Sequence, residues 1–422
     1  MNKLSLTELM RRVNRTGGQN TKFTLLGIGP MSENLIRASM QLAAKKDFPL
    51  MYIASRNQVD ADEFGGGYVC SWNQDTFAAD IKKTADELSF DGLCYLCRDH
   101  GGPWQRDRER ADKLPVGEAM ELGRRSFIYD LKAGFDLLHI DPTKMPVDDK
   151  VVPMAFVLDA TVELMEFCEE QRRKMNLPPV AYEVGTEETN GGTTSLENYS
   201  YFIRTLTARL REKNLPLPVF MVGNTGTLTR LAENTGTYDT GQAAKLSKAA
   251  NEYGIGLKEH NCDYLSDYLL GLHPAIGVTA ANVAPEFGVA ETRAYLLLNK
   301  MEIFFRDSGL VSKISDFGRV FRDASIESER WRKWMTGNKK SYTPDEVKKD
   351  EETSKLIVEI SGHYTFNNEA VKTEKEKMFA NLEKAGVNPQ KTVMNEITRS
   401  MERYVNHFNL EDTTSYLIRA GS

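Results

Sequence analysis

The most regular feature of the chain is a series of short apolar runs that are separated by polar turns and helical patterns. Most of these runs are continuous rather than alternating with polar residues, which is typical of parallel strands buried on both faces. From about residue 22 the pattern predicts eight strands: Phe23–Ile28, Leu50–Ala54, Leu93–Cys97, Leu137–Ile140, Ala181–Gly185, Val219–Val222, Gly256–Glu259 and Ile276–Thr279.

Helical patterns fill the gaps between these runs. The clearest covers residues 195–212, where apolar residues repeat every three or four positions and form one stripe. Thr194 followed by Glu197 predicts a capping box at its start. Further helices are predicted over 73–88 and 154–175. Eight strand–helix units in series indicate a closed (β/α)8 TIM barrel, an α/β fold, with an open doubly wound sheet as the alternative.

The alternation stops after about residue 310. Residues 336–355 are polar and charged and predict a solvated loop or linker, whereas 367–384 and 390–407 have helical patterns. We therefore expect two regions, a TIM barrel over residues 1–310 and a mostly helical C-terminal extension over 311–422.

Composition narrows the classes of function. The 422 residues have a formal net charge of −6 and no long basic stripe, so nucleic acid is not an expected partner. No run of about 18 apolar residues predicts a membrane span, and the first residues lack the apolar core of a signal peptide. Five cysteines, an odd and small number, favour reduced thiols and a cytoplasmic location. Cys94 and Cys97 lie within a predicted strand, where core packing is expected.

The catalytic residues of a TIM barrel lie at the carboxyl ends of its strands. Three of the six histidines follow or end predicted strands, namely His100, His139 and His260. Each alone is weak evidence, but together they indicate a site at this edge. His139 and Asp141 are two positions apart, so they share a face, and Ile140 between them fits the helix-facing side.

Other strand ends offer polar groups whose use is open. Glu183 and Glu187 share a face and suit a metal or an ion pair. His260 shares a face with Cys262, a pair that would suit zinc, although a buried thiol is the simpler interpretation. Asn57 and Gln58, Gly65 and Gly66, and Asn224 and Thr225 could contact a sugar or an anion through side chains or amides, or could serve only as turns.

The strand ends together resemble those of the tagatose-bisphosphate aldolase Z-subunit family, which is related to class II ketose-bisphosphate aldolases and to metal-dependent ketose 4-epimerases. The resemblance runs through about residues 24–300 and continues more weakly near Trp331 and Tyr364. It rests on these motifs: Asn57-Gln58-Val59, Phe64-Gly65-Gly66, Asp99-His100, Gly102-Pro103-Trp104-Gln105, Ala133-Gly134-Phe135, His139-Ile140-Asp141, Gly185-Thr186-Glu187, Gly191-Gly192 and His260 with Asp263-Tyr264.

This resemblance implies a TIM barrel that binds a divalent metal through His100, Glu187 and His260, with Asp99 as a proton-transfer residue. Zinc is the leading candidate, and manganese, nickel or cobalt are alternatives. Two departures from the family narrow the expected activity and substrate. Class II aldolases place a third metal-binding histidine where this chain has Asn224, which disfavours independent aldolase activity. The family tends to have arginines where this chain has Ser361-Gly362-His363-Tyr364, and if those arginines hold a substrate phosphate, a non-phosphorylated or differently charged sugar is expected here.

The expected reaction takes place beside the carbonyl of a ketose or ketose phosphate of the tagatose or fructose type. The most specific form of this hypothesis is C4 epimerisation by cleavage and re-formation of the C3–C4 bond. Asp99, Asp141 and Glu183 are the candidate catalytic residues. The expected substrate-binding residues are Asn57, Gln58, Gly65, Gly66, His139, Asn224, Thr225 and Asp263.

The alternative hypothesis is a non-catalytic stabilising subunit that assembles with the catalytic subunit of a class II tagatose-1,6-bisphosphate aldolase. A homo-oligomer is a further expected assembly. A sugar kinase is disfavoured, because the chain has no G-x-x-x-x-G-K-[ST] loop.

Overall fold

A computed structural model describes residues 4–16, 22–146, 152–186 and 193–420. Its strands are β1 (Leu25–Ile28), β2 (Leu50–Ser55), β3 (Cys94–Gly101), β4 (Leu137–Ile140), β5 (Ala181–Gly185), β6 (Phe220–Val222), β7 (Thr229–Arg230), β8 (Glu233–Asn234), β9 (Gly256–Glu259) and β10 (Val278–Val283). Its helices are α1 (Leu6–Thr16), α2 (Glu33–Lys46), α3 (Gln74–Leu88), α4 (Asp107–Ala111), α5 (Val116–Lys132), α6 (Met154–Lys174), α7 (Leu196–Glu212), α8 (Thr240–Asn251), α9 (Asp267–Ile276), α10 (Pro285–Asp307), α11 (Phe317–Glu327), α12 (Pro344–Lys349), α13 (Glu351–Ser361), α14 (Glu369–Lys384), α15 (Pro389–His407) and α16 (Thr413–Arg419).

Eight parallel strands close into a barrel in the order β1-β10-β9-β6-β5-β4-β3-β2. The predicted TIM barrel and all eight of its predicted strands are therefore confirmed. The small antiparallel hairpin β7–β8 lies in the connection between β6 and β9. Every residue of β1, β4, β5, β6, β9 and β10 is buried, in agreement with strands that are covered on both faces.

Two local predictions within the barrel need correction. The eighth strand begins at Val278 and continues to Val283, because Ile276 still belongs to α9 and Gly277 ends that helix in the left-handed conformation. The capping box of Thr194 and Glu197 is also wrong. The N-cap of α7 is Ser195, whose side chain accepts a hydrogen bond from the Asn198 amide.

The predicted polar linker over 336–355 is wrong as well. This stretch contains a 3-10 helix, Gly337–Ser341, and then α12 and the start of α13. A capping box of Thr343 and Glu346 begins α12, and Val347 is fully buried in a small cluster around Trp331. Local capping and one apolar anchor are therefore enough to order a stretch whose composition is mostly polar.

The remainder of the C-terminal extension is helical, as predicted, and α14 and α15 match their expected bounds to within two residues. Helix α15 packs against α10 and α2, and Met401 and Tyr404 belong to the same hydrophobic core as the barrel strands. The change of pattern near residue 310 is thus a change of secondary structure, while the core is shared. No helix within the described ranges is long and apolar enough to cross a membrane.

The strand order also determines which loops face each other across the mouth of the barrel, at the carboxyl ends of the strands. β2 and β6 are four strands apart in either direction around the ring, so the loops that follow them lie on opposite sides. This placement matters for the C-terminal extension, because one of its short segments touches both loops.

Candidate active site

The site begins with an irregularity in β3. The pairing of β3 with β4 shifts register between Arg98 and Gly101, and His100 has a left-handed backbone with φ of 46°. Adjacent strand residues normally point to opposite faces. The irregular backbone here lets both Asp99 and His100 approach the same group of side chains, at a cost of roughly 1–3 kcal/mol for such a conformation.

Three histidines from three strand ends meet at this position. The ring centroids of His100 and His260 are 4.9 Å apart, and that of His139 lies 5.4 Å from each of them. The convergence that the strand-end positions predicted is therefore present in the structure.

Asp141 orients His100. Its Oδ2 atom lies 2.7 Å from Nδ1 of His100, and its Oδ1 atom accepts hydrogen bonds from the backbone and hydroxyl of Thr143. Burial would raise the pKa of Asp141, but the hydrogen bond with His100 lowers it well below its ordinary value overall. A carboxylate that stays ionised at this atom keeps the Nδ1 proton on His100, so Nε2 has the lone pair.

Glu183 orients His260 as Asp141 orients His100. Its Oε1 atom is 2.9 Å from Nε2 of His260, and its Oε2 atom is 2.5 Å from Nζ of Lys258. Burial would raise the pKa of Glu183, but the ammonium group of Lys258 and the neighbouring imidazoles lower it well below its ordinary value. The proton of His260 is thereby held at Nε2, and the lone pair lies at Nδ1.

The other two ring nitrogens face each other, and either of them can be the donor in the contact between them, depending on the tautomer. Nδ1 of His260 is 3.3 Å from Nε2 of His100. Two nitrogens bound to one tetrahedral zinc at about 2.0–2.1 Å would be separated by about 3.3–3.4 Å. The donor set, the separation and the carboxylates behind each ring therefore fit a divalent metal, and carboxylates in this position commonly support metal-binding histidines.

Asp99 is the third carboxylate beside the histidines. Its Oδ1 atom accepts a hydrogen bond of 3.1 Å from Nδ2 of Asn282 and lies 3.7 Å from Nε2 of His260. The side chain is 12 % exposed, whereas those of Asp141 and Glu183 are fully buried. Asp99 is therefore the most accessible of the three predicted catalytic carboxylates to a substrate in the mouth.

His139 differs from the other two histidines. Its Nδ1 atom accepts a hydrogen bond from the backbone amide of His100 and lies 3.6 Å from Oε1 of Glu183. The ring is fully buried between its neighbours. The hydrogen bond from the His100 amide orients the His139 ring toward the other histidines and supports the left-handed backbone of His100.

Several of the predicted substrate-binding residues are occupied by contacts within the loops. The amides of Gly65 and Gly66 donate to the carbonyls of Asp62 and Ala61. Gln58 accepts from Ser55 and is 5 % exposed, so its amide supports the turn after β2. The structure therefore gives the two glycines and Gln58 a role in shaping the loop.

Asn57 connects two loops at the mouth. Its Nδ2 atom donates to the carbonyl of Gln105, and its Oδ1 atom accepts from the amide of Asp107. Gln105 in turn donates to the carbonyl of Asp141. Asn57 thus positions the loop after β3, which covers the strand end that holds His100.

The predicted substrate-binding residues that follow β6 and β9 lie partly at the mouth and partly in the core. Asn224 uses its backbone to pair with Thr194, and its Oδ1 atom accepts from Gly226. Thr225 is fully buried. Asp263 is 2 % exposed and accepts from the amides of Ala284 and Glu286, so it caps the start of α10. Burial and the charge of Glu286 raise the pKa of Asp263 to about 7.

One predicted metal ligand, Glu187, lies outside the described residues. The described residues offer two alternative sets of donors around the same point. The first is the trio of histidines, and the second is Asp99, His139, Glu183 and His260, whose candidate ligand atoms all lie within 4.8 Å of one another.

The prediction that His260 and Cys262 share a face is wrong. β9 ends at Glu259, and Asn261 has a left-handed backbone with φ of 57°, so the strand alternation stops there. Cys262 is fully buried with its Sγ atom 3.5 Å from Oε2 of Glu259, which confirms a buried thiol and excludes it from the His260 group.

The sequence analysis missed two functional neighbours. Lys258 precedes His260 by two positions and should have been assigned to the same face by strand alternation. Asn282 was missed because the predicted eighth strand ended at Thr279, four residues before the end of β10. Both are buried polar side chains within the barrel, and each contacts one of the site carboxylates.

Comparisons with solved structures agree with the barrel. A probable tagatose 6 phosphate kinase from Sinorhizobium meliloti 1021 has 20 % identity and a TM-score of 0.74, with 91 % of this chain and 100 % of that chain covered. A fructuronate-tagaturonate epimerase from Cohnella laeviribosi has 11 % identity, a TM-score of 0.56 and coverage of 92 % and 81 %. A fructose-bisphosphate aldolase from Campylobacter jejuni has 10 % identity, a TM-score of 0.53 and coverage of 96 % and 94 %. At these identities the likeness shows a shared fold.

The sequence itself gives the more specific relationship. No curated protein sequence matches the chain. Residues 10–209, however, match the family described as D-tagatose-1,6-bisphosphate aldolase subunit GatZ/KbaZ-like. The resemblance to the tagatose-bisphosphate aldolase Z-subunit family, inferred from the strand-end motifs, is therefore confirmed over residues 10–209.

Proposed function

We propose that the protein is a metal-dependent carbohydrate enzyme that acts beside the carbonyl of a ketose or ketose phosphate and inverts its C4 centre. The observation that supports this most strongly is the pair of imidazole nitrogens, 3.3 Å apart, on two rings that buried carboxylates orient toward each other. The family match and the fold shared with an aldolase and an epimerase of sugars indicate the substrate class.

His100 and His260 are the proposed metal ligands, and Glu187 remains the predicted third one. A divalent ion bound there would supply Lewis-acid polarisation of the ketose carbonyl. Zinc suits two imidazoles and a carboxylate, and manganese, nickel and cobalt are compatible with the same donors. Asp141 and Glu183 hold the two rings in the required tautomers, and Lys258 keeps Glu183 ionised.

Asp99 is the proposed proton-transfer residue. It is the only one of the three predicted carboxylates with solvent access at the mouth, and its Oδ2 atom points toward His100, 3.9 Å from Nε2. The carboxylate would take the proton of the C4 hydroxyl as the C3–C4 bond breaks and its electron pair moves toward the carbonyl. After rotation of the aldehyde fragment, the bond forms again and Asp99 returns the proton.

Whether the fragments stay bound decides between an epimerase and an aldolase. The position where class II aldolases have a third histidine is Asn224, and this residue supports its own turn after β6. We therefore favour retention of the fragments and C4 epimerisation. Of the predicted substrate contacts, His139 lies within the histidine group itself.

The direct test is a metal analysis of the purified chain together with an assay on fructose, tagatose and their 6-phosphates. We expect close to one equivalent of a transition metal, interconversion of the C4 epimers, and loss of turnover in chelator that the metal restores. The Asp99→Asn variant should retain the metal but lose about 10²–10⁴-fold in kcat. A chain that holds no metal and converts none of these sugars would refute the proposal.

A second candidate is a non-catalytic subunit of a class II tagatose-bisphosphate aldolase, in line with the description of the matching family. Helix α10 and the turn after it expose large apolar side chains, among them Leu297 and Phe304 on the helix and Leu310 three residues beyond its end. Such a patch is more typical of an interface than of a solvated surface. Co-purification with an aldolase catalytic subunit, abolished by Phe304→Glu, would support this candidate, especially if the chain alone is inactive.

A further inference from the structure

A short segment of the C-terminal extension lies across the mouth of the barrel. Arg330–Lys333 form a 3-10 helix. At one end, the guanidinium of Arg330 lies over the ring of Tyr68, in the loop after β2, with 4.5 Å to the centroid. At the other end, the carbonyl of Trp334 accepts a hydrogen bond from the amide of Leu231, in the β7–β8 hairpin after β6. Because β2 and β6 lie on opposite sides of the ring, this segment connects loops from opposite sides of the barrel mouth.

The crossing segment, Arg330 to Trp334, brings two cations to the ring of Tyr364. Arg330 lies over both Tyr68 and Tyr364, and Nζ of Lys333 lies 5.0 Å from the Tyr364 centroid. The nearest acidic group is Asp107, whose Oδ2 atom is 4.0 Å from Arg330 and whose Oδ1 atom is already bound by Arg110. Three cations thus face one carboxylate, which leaves an excess of positive charge.

Lys333 is an exposed side chain at the edge of this cluster. The surrounding protein lowers its pKa, mainly by desolvation. Within the described part of the chain, no carboxylate lies within ion-pair distance of its ammonium group. An ammonium group that is open to solvent and has no carboxylate partner is suited to an anion from outside the protein.

His363 is a second, independent indication of a ligand. Its ring is 3 % exposed and packs against Tyr364 at 4.1 Å between centroids, and neither nitrogen has a hydrogen-bond partner among the described residues. Burial and the charges of Lys333 and Arg330 lower the pKa of His363 to about 3. The ring is therefore neutral at physiological pH and has one unused N–H donor beside the two cations. Buried polar groups without a partner are rare in proteins and need an explanation.

We propose that Arg330, Lys333 and His363 form a subsite for an anionic group, a phosphate or a carboxylate, at the end of the sugar remote from its carbonyl. The inference rests on the proposed function and adds the class of substrate to it. The carbonyl end of the sugar lies at the histidines, and the anionic end lies under the crossing segment. Guanidinium and ammonium groups supply the charge-assisted hydrogen bonds that both anions need.

The test compares one anionic and one neutral ketose in the same enzyme. The measured quantity is the ratio of kcat/KM for fructose 6-phosphate to that for fructose. The double variant Arg330→Gln/Lys333→Gln should lower this ratio about 10- to 100-fold, as expected for loss of hydrogen bonds to a charged group. Replacing the 6-phosphate by a 6-carboxylate ketose shows which of the two anions the subsite prefers.

Arg332 offers a matched control in the same 3-10 helix. Its guanidinium pairs with Glu329 and packs on Trp331, so Arg332→Gln removes a charge from the segment without touching the subsite and should leave the ratio unchanged. An equal loss for both sugars in the double variant, or an equal effect of Arg332→Gln, would overturn the proposal.

Calorimetric binding separates this inference from the proposed function. If the chain converts none of the sugars, binding of inorganic phosphate and of fructose 6-phosphate can still be measured. Binding of these anions that the double variant loses, beside weaker binding of fructose, supports the subsite even though the catalytic proposal has failed. Equal binding of fructose and its 6-phosphate by the unmodified chain refutes the subsite, whatever the catalytic outcome.

Discussion

Two groups of potential metal ligands lie on either side of the end of β9, and they differ in their hydrogen bonds. Inside the barrel, His100 and His260 each have a carboxylate at one ring nitrogen, and their other nitrogens face each other. Outside the barrel, between the strand and α9, Glu259, Cys262 and His273 come equally close together. By residue type alone, the outer group is as good a metal site as the inner one.

The outer group, however, satisfies its own bonds. Nδ1 of His273 lies 2.8 Å from the carbonyl of Leu269, and Nε2 lies 2.9 Å from Oε2 of Glu259, so both nitrogens face acceptors and both are donors. Tyr238 donates to the other oxygen of Glu259. A doubly protonated imidazole has no lone pair for a metal. Each histidine has one ring nitrogen beside a carboxylate and a second nitrogen, which we call the far nitrogen. The partner of this far nitrogen, rather than the types of residue in the group, distinguishes a metal site from a structural ion pair.

The largest expected effect comes from the inner group. We expect His260→Gln to remove the bound metal and to lower kcat/KM by at least about 10³-fold, because Lewis-acid stabilisation amounts to several kcal/mol. The measurements are metal content by mass spectrometry and steady-state kinetics on the C4 epimers. His407→Gln, at a partly exposed histidine in α15, is the matched control. Full metal content in His260→Gln would mean that the histidines are not the ligands.

A substitution in the outer group should lower the stability of the protein and leave its metal content unchanged. His273→Gln breaks a fully buried ion pair and should lower the free energy of unfolding by about 3–5 kcal/mol, with metal content unchanged. Burial lowers the pKa of His273, but the charge of Glu259 raises it above its ordinary value overall. The contribution of the pair is therefore complete below the unfolded pKa of about 6.5 and is lost as the pH rises through the folded value.

Urea unfolding of metal-saturated protein between about pH 6 and pH 9 measures this dependence. The difference in unfolding free energy between the unmodified chain and His273→Gln should be largest at pH 6 and should shrink toward pH 9. A constant difference would show that His273 is not ionised in the folded state, and the contrast with the inner group would then fail.

Asp141→Asn tests the support behind the inner ligands. The asparagine has nearly the same shape but lacks the charge that holds the Nδ1 proton on His100, so we expect metal affinity to fall about 10- to 100-fold. Competition with a chelator measures the change. A matched variant, Asp136→Asn, alters a carboxylate that binds the backbone at the start of β3, far from the histidines, and should leave metal affinity unchanged. Equal metal affinities in the two variants would contradict the assigned role of Asp141.

The barrel could be predicted because most of its strands are continuous apolar runs, and such runs are specified locally. The convergence of His100, His139 and His260 follows from the same rule, since parallel strands end at one edge. The arrangement of Asp99 beside His100 did not follow, because the left-handed backbone that lets both face the mouth is a feature of the β3–β4 pairing.

The crossing segment could not be predicted for a different reason. Its residues, from Arg330 to Trp334, alternate cations with tryptophans and show no helix or strand period. Their position depends on contacts with Tyr68 and Leu231, both of which are more than 100 residues away in the chain. A pattern of local periodicity contains no information on such distant contacts. Lys258 is the opposite case, since the alternation of β9 was sufficient to place it beside His260.

The smallest expected effect provides the strictest test of the comparison. Cys262 is the only potential thiolate ligand in either group, and its Sγ atom contacts Glu259. Burial raises the pKa of this thiol well above its ordinary value, so it is protonated and donates to the carboxylate. Cys262→Ser keeps a donor at this position and should change the free energy of unfolding by only about 1 kcal/mol, with metal content and kcat/KM unchanged. Loss of bound metal in this variant would identify the outer group as a metal site, and the far-nitrogen criterion would then have to be abandoned.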